Sequence, residues 1–239
     1  MTSSHSEGIL LVNKPKGRTS FSLISYLRRI LNVKTIGHAG TLDPLATGVM
    51  VLMVGKNYTR LSSKLLVQDK EYFAEITLGK STDSFDAEGT ETFSSEKVPT
   101  FEEVTTALKK FQGEFLQIPP MFSAKKVNGQ KLCDLARKGK TIERQPVKVF
   151  AETVLIDYTY PKILLKVNCS KGTYIRSIAH DLGCDLGSGA FLSCLQRTKS
   201  GSFYIEDCID GNIIFNHDAT DAARLKVNAA LKKCQSIQI

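Results

Sequence analysis

Residues 37–48 read Gly37-His38-Ala39-Gly40-Thr41-Leu42-Asp43-Pro44-Leu45-Ala46-Thr47-Gly48. Glycines and one proline surround a lone carboxylate. Glycine reaches backbone conformations that other residues resist, while Pro44 fixes its own φ and biases Asp43 toward extended backbone. Punctuation of this kind has two readings: a tight surface turn, or a rigid platform that presents Asp43. The flanks favour a supported position. Before the stretch, Thr19 or Ser20 can cap a helix with Phe21, Ile24, Leu27 and Leu31 on one face. After it, Val49–Val54 is an apolar run suited to a central strand.

Further out, Gly8–Asn13 reads as a buried strand closed by Lys14-Pro15-Lys16-Gly17. A short helix is expected over Thr59–Val67. In Lys70–Leu78 the side chains of Tyr72, Ala74, Ile76 and Leu78 alternate with Phe73, Glu75 and Thr77, the period of a half-buried strand. Gly79–Thr92 reads as a polar loop. Thr100 and Glu103 form a capping box for a helix presenting Phe101, Val104, Leu108 and Phe111. Gln130–Lys138 has the pattern of a short cationic helix stopped by Gly139. Pro146–Tyr160 and Ile163–Cys169 read as a strand pair, Thr173–Leu182 as a helix, Ala190–Arg197 as the last core strand, and Asp218–Cys234 as a helix. Together these predict an α+β fold with a mixed, largely antiparallel sheet flanked by helices. Residues 1–210 are expected to form the main domain, with a basic insertion at about 120–148, and residues 211–239 a short helical tail.

At 239 residues and 42% hydrophobic content the chain can bury a core and is not disordered. No apolar run is long enough to span a membrane. The polar start, MTSSHSEG, lacks the basic and apolar regions of a signal peptide, so a cytoplasmic address is expected. Cys133, Cys169, Cys184, Cys194, Cys208 and Cys234 show no paired spacing and are expected to be reduced, mostly buried thiols. His5, His38, His180 and His217 show no ligand spacing, so no metal is expected.

Charge is segregated. Lys14, Lys16, Arg18, Arg28, Arg29 and Lys34 fall between Gly8 and Leu42 with no acid among them. Pro120–Phe150 holds eight bases against Asp134 and Glu143. These two stretches carry more positive charge than the whole chain's +8, and acids collect in Asp83–Glu103. Clustered bases favour a polyanion, because neutralising phosphates releases counterions. The charged excursion is too short to fold alone and is expected to act as a basic flap over a ligand.

The sequence has no phosphate-cradling glycine loop followed by Lys-Ser/Thr, no dinucleotide fingerprint and no nucleophile elbow. It offers an isolated Asp43, two basic surfaces and aromatics. A carboxylate can act as a covalent nucleophile, and a nearby arginine such as Arg176 would keep it ionised.

The stretch GHAGTLDPLATG, with Gly55-Lys-Asn-Tyr-Thr-Arg60 after it, closely resembles the catalytic motif of the TruB family of tRNA pseudouridine synthases. Lys14-Pro15-x-Gly17-x-Thr19-Ser20, Asp69-Lys70-Glu71-Tyr72, Thr82-Asp83-x-x-Asp86-x-x-Gly89, Pro119–Lys125 and Cys169–Arg176 match the family in the same order. The resemblance covers roughly residues 8–200. It implies that Asp43 is the nucleophile for a uridine that detaches, rotates and rejoins the ribose through carbon, without a cofactor. By the same resemblance Arg176 pairs with Asp43, Tyr72 stacks on a flipped base, Tyr174 and Leu195 line its pocket, and His38 helps hold the extruded nucleotide. The basic insertion would grip RNA, with Lys14, Lys125, Lys126, Lys131 and Arg197 as candidate contacts. The implied substrate is uridine 55 in the T arm of tRNA, and the chain is expected to work as a monomer without an obligate protein partner.

The family often has Leu-Arg-Arg where this chain has Leu195-Gln196-Arg197. Many members carry a further RNA-binding module, often PUA-like, after the catalytic domain, which the resemblance places at residues 1–210; residues 211–239 are too few for a complete one, and none is expected. A catalytically idle tRNA-binding protein on the same scaffold is the alternative, and an RNA-guided modification subunit is a third.

Overall fold

The computed structural model describes residues 7–127, 129–215 and 220–234. Its backbone divides into two compact units, one formed by the chain up to Glu71 and again from Gln196, the other by Tyr72–Leu195.

In the first unit the chain opens with β1 (Gly8–Lys14) and helix α1 (Ser20–Leu31), capped by the Thr19 hydroxyl on the Ser22 N–H. The helix faces inward with Ser20, Leu23, Ile24, Leu27, Ile30 and Leu31. Phe21, expected on the buried face, is 69% exposed. The buried stripe is centred on Leu23, Leu27 and Ile30, with Ser20 taking the inward position at its start. The Ser20 hydroxyl donates to the Leu42 carbonyl and accepts from the Leu42 N–H, both at 2.9 Å. Strands β2 (Ile36–His38) and β3 (Thr47–Val54) flank the Asp43 loop, and β3 pairs antiparallel with both β1 and β2. Burial along β1 and β3 is almost unbroken, as expected of strands covered on both faces. The expected Thr59–Val67 helix splits into α2 (Lys56–Thr59) and α3 (Ser62–Leu66).

The second unit takes most of β4 (Lys70–Leu78), whose burial alternates as the sequence predicts, with Tyr72, Ala74, Ile76 and Leu78 inward. Gly79–Thr92 is not a simple polar loop. It contains the hairpin strand β5 (Lys80–Thr82), which pairs with β6 (Glu91–Ser94), and it buries Ser81, Thr82, Ser84 and Asp86. Helix α4 (Phe101–Leu108) has the full Thr100–Glu103 capping box, with Phe101 turned to solvent.

Strand β7 (Gly113–Gln117) leads to the basic segment, where β8 (Lys126–Val127), β9 (Gln130–Lys131) and α5 (Leu132–Ala136) form a small hairpin and turn of helix. Strands β10 (Val147–Thr159) and β11 (Lys162–Cys169) pair antiparallel as expected, and β10 also pairs with β7. Helix α6 (Ile175–Leu186) runs a turn beyond the expected end and stops at Gly187 in the left-handed conformation. Strand β12 (Ala190–Ser200) begins here beside β4, followed in order by β11, β10 and β7.

The rest of β12 belongs to the first unit, where it pairs parallel with β3 through Gln196–Thr47 and Arg197–Gly48. It is not the last strand. Strand β13 (Phe203–Tyr204) folds back on it, and β14 (Ile209–Asp210) adds to β1 in parallel. Helices α7 (Asn212–Phe215) and α8 (Thr220–Cys234) follow, and α8 lies on β1 with Ala223, Val227 and Leu231 buried. His5, His217 and Asp218 lie outside the described residues. The antiparallel pairings, with parallel exceptions at β1–β14 and β3–β12, give the mixed, largely antiparallel α+β fold that the sequence predicts.

No described cysteine forms a disulfide, but only Cys169 is buried, while Cys184 and Cys194 are exposed on α6 and β12. Among the described residues no helix is long and apolar enough to cross a membrane.

Asp181 on α6 carries a pH signature. Burial, and then repulsion from Asp185, push its carboxyl up to about 6. A raised folded pKa means the fold favours the protonated form, so this group's contribution is present below the ordinary carboxylate range and is lost as pH rises through 6. Asp181→Asn is therefore expected to raise the urea midpoint at pH 7.5 and leave it near wild type at pH 4. An equal gain at both pH values would contradict this.

Candidate active site

In the first unit, Asp43 sits in a loop whose neighbouring residues are fastened individually. On one side Leu42 is held by Ser20 through the paired bonds described above. On the other, the Pro44 carbonyl accepts from the Gly17 N–H at 2.8 Å and from Lys14 Nζ at 3.3 Å. Leu42, Leu45 and Ala46 are buried anchors, the Ala46 N–H closes a turn on the Asp43 carbonyl, and Asp43 itself is half-buried. Gly48 ends the loop at φ +104°, where a Cβ would overlap the Arg197 carbonyl oxygen, so no other residue fits without moving β12. Its N–H donates to Asn13 Oδ1 at 3.1 Å.

Lys14 and Arg197, expected among the RNA-contacting cations, are withdrawn from solvent, at 0% and 1% exposure. Lys14 Nζ also donates to the carbonyls of Pro15 and Arg18, at 2.9 and 2.6 Å. Arg197 donates from Nε to the Val49 carbonyl at 2.7 Å and from Nη2 to the Gly40 carbonyl at 3.2 Å. Both are thus internal supports rather than surface contacts: a buried cation needs local acceptors, and main-chain carbonyls of the loop and of the segments beside it supply them.

His38 is half-buried at the end of β2, and its Nδ1 is buried with no hydrogen-bond partner. Burial lowers its pKa, the Arg197 charge lowers it further, and the Gly40 main chain opposes both. The imidazole is neutral at pH 7, able to donate from one nitrogen and accept at the other.

In the second unit Arg176 lies near the start of α6 at 4% exposure. Gln117 prepares that helix start: its side-chain amide accepts from the Tyr174 N–H at 2.8 Å and donates to the Tyr174 carbonyl at 3.1 Å. Arg176 then donates to the carbonyls of Ser84 and Phe122, at 3.1 and 2.7 Å, and its Nε lies 3.6 Å from Asp86 Oδ2. One guanidinium thus ties α6 to the Thr82–Gly89 loop and to the root of the basic segment. Asp86 is shaped for this: its Oδ1 accepts from the Ser84 hydroxyl and the Glu88 N–H. Asp86 is not among the residues to which the sequence assigns a role. The signal available was its place in Thr82-Asp83-x-x-Asp86-x-x-Gly89, where an acid lies inside a stretch read as polar loop. The same unit holds Tyr72 and Leu195, both buried, and Tyr174, half-buried.

The basic segment is rooted rather than detached. Leu132 is fully buried, its N–H donates to the Lys125 carbonyl, and the Cys133 N–H donates to the Ser123 carbonyl. Lys126 and Lys131 are exposed and Lys125 half-buried.

Residues 28–175 match the model of the TruB family pseudouridylate synthase N-terminal domain. The chain belongs to the TruB family. Among curated relatives, a "tRNA pseudouridine synthase B" of Protochlamydia amoebophila is 60% identical over 87% of this chain and 79% of its own length. One of Chlamydia abortus is 57% identical over 87% of this chain and 88% of its own. One of Opitutus terrae is 47% identical over 85% of each. Among solved structures, a chain from a "Cbf5-Nop10-Gar1 Complex" superimposes with a TM-score of 0.67 and 29% identity over 90% of this chain, which spans 54% of that one. A second, from an "H/ACA RNP bound to a substrate RNA containing 2'-deoxyuridine", gives 0.68 and 25%, over 96% and 59%.

Removing the carboxylate at Asp86 deprives a buried guanidinium of an acid partner. Asp86→Ala is expected to cost about 3 kcal/mol, as broken buried ion pairs do, and Asp86→Asn less, since it keeps an acceptor for Glu88. Urea unfolding measures both. An unchanged midpoint in Asp86→Ala would show that the pair contributes nothing.

Proposed function

We propose that this TruB-family chain converts uridine 55 in the T arm of tRNA to pseudouridine, with Asp43 as nucleophile. The observation that carries this reading is the fastening of one carboxylate between Leu42 and Pro44 in a chain 47–60% identical to tRNA pseudouridine synthases B. A nucleophile has to be held in a near-attack geometry, and a loop tied on both sides of the reacting residue does that.

The chemistry balances within the substrate. The bond from C1′ to N1 breaks, the base turns, and a bond from C1′ to C5 forms; the proton leaves C5 and N1 gains one. No oxidant, reductant or group donor enters. The target base is stacked in folded RNA and has to be flipped out. Tyr72 and Tyr174 are assigned to stack on and line the flipped base, and Leu195 to close its apolar side. Neutral His38 is assigned to hold the extruded nucleotide, and Arg176 to act as the nucleophile's cationic partner. Lys125, Lys126 and Lys131 are assigned to phosphates, which position the stem-loop without reading sequence.

The test is purified protein on an unmodified tRNA transcript with pseudouridine mapped by position. Near-complete conversion at position 55 is expected, and none in a transcript with cytidine there. Binding without product would instead support the idle RNA-binding reading.

A further inference from the structure

Arg197 has an unusual environment for a permanent charge. It is 1% exposed, and among the described residues no carboxylate pairs with it. Its partners are the carbonyls of Val49 and Gly40 and, at 3.4 Å, the Met50 sulfur. Burying a cation against neutral acceptors alone is costly, and a methionine or leucine would pack a strand such as β12 at lower cost. The two acceptors show what the charge is placed to do. Gly40 lies on the arm entering the Asp43 loop and Val49 on the arm leaving it, so one planar fork spans the loop's mouth.

The glycines of the motif fit the same group. Gly40 has φ +101°, and a Cβ there would lie 3.4 Å from Arg197 Nη1. Gly48 meets the Arg197 main chain directly through the parallel pairing of β3 with β12. Gly48 therefore leaves room for one residue of a distant strand, while at Gly40 it is the positive φ that asks for glycine and a Cβ would only touch the guanidinium. The Arg197 charge also reaches His38, where it helps keep the imidazole neutral.

We propose that Arg197 is a positioning residue for the reaction: its guanidinium clasps the two arms of the Asp43 loop and thereby holds Asp43 and His38 in one fixed geometry without touching the RNA. The catalytic part of this proposal rests on the reading of Asp43 as nucleophile; the clasp itself does not. Lysine replaces the fork only in part, since its ammonium is a single mobile donor centre without the rigid, planar spacing that fits both carbonyls together.

The experiment compares wild type, Arg197→Met and Arg197→Lys by three readouts: amide hydrogen exchange, single-turnover conversion of tRNA transcript, and tRNA affinity. In Arg197→Met, exchange at the Ala46 and Gly48 amides is expected to rise about tenfold or more while β10 and β11 keep their protection. Single-turnover rate is expected to fall about 100-fold, the scale of a small misplacement of a reacting group, with tRNA affinity within about threefold. Arg197→Lys is expected to fall between the two. Unchanged loop exchange in a folded Arg197→Met protein would overturn the clasp. A loss of affinity that matches the loss of rate and flattens its salt dependence would overturn it in favour of an RNA contact. If Arg197→Met does not fold, Arg197→Lys decides: wild-type loop exchange and rate there would overturn the proposal. Absence of product with wild type would sink the nucleophile reading, and the exchange measurement would still decide the clasp.

Discussion

The constraint on which the Asp43 loop depends is the disposal of its backbone carbonyls. The loop is irregular, so strand pairing does not satisfy Gly40, Leu42 or Pro44, and an unpaired buried carbonyl is expensive. Each is met by a side chain from elsewhere in the chain: Arg197 from β12, Ser20 from the start of α1, Lys14 from the end of β1. Two of these donors are cations. Hydrogen bonds from charged donors contribute about 1.5 to 3 kcal/mol each, which offsets part of the cost of burying the charge. The result is a loop held by several strong bonds rather than by its own regular structure.

The second unit uses a comparable device at Arg176. A guanidinium with two carbonyl acceptors and the Asp86 carboxylate connects α6, the Thr82–Gly89 loop and the root of the basic segment. The segment's lysines are thereby carried on an anchored hairpin with Leu132 in the core, which limits how far they can wander. In both units, then, a buried arginine organises irregular backbone that regular pairing leaves unsatisfied.

Much of this was legible in the sequence. Apolar runs predicted β1 and β3, strict alternation predicted β4, and Thr100 with Glu103 predicted the cap of α4, because burial and local hydrogen bonding leave a direct periodic or positional mark. The Asp43 loop was legible through its glycines and proline. What remained hidden depends on tertiary placement. A lysine or arginine reads as surface unless its acceptors are known, so Lys14 and Arg197 were read as RNA contacts. Hydrophobicity predicts burial for Phe21, whereas the buried stripe of α1 runs through Leu23, Leu27 and Ile30, and Ser20 satisfies its polar group on Leu42. Asp86 lies in a segment whose polarity suggests solvent, and its burial depends on partners that periodicity does not reveal, Ser84 and Glu88 nearby and Arg176 far away in sequence.

The central claim is that Asp43 performs the chemistry and that the surrounding network serves to hold it. Joining C5 to the ribose expels the hydrogen at C5, so release of tritium from tRNA carrying [5-³H]uridine reports each turnover. The most direct measurement is that release by Asp43→Asn, with tRNA binding followed on the same preparation. No release above background is expected, with affinity close to wild type. Release by the folded variant at a rate comparable to wild type would contradict the central claim.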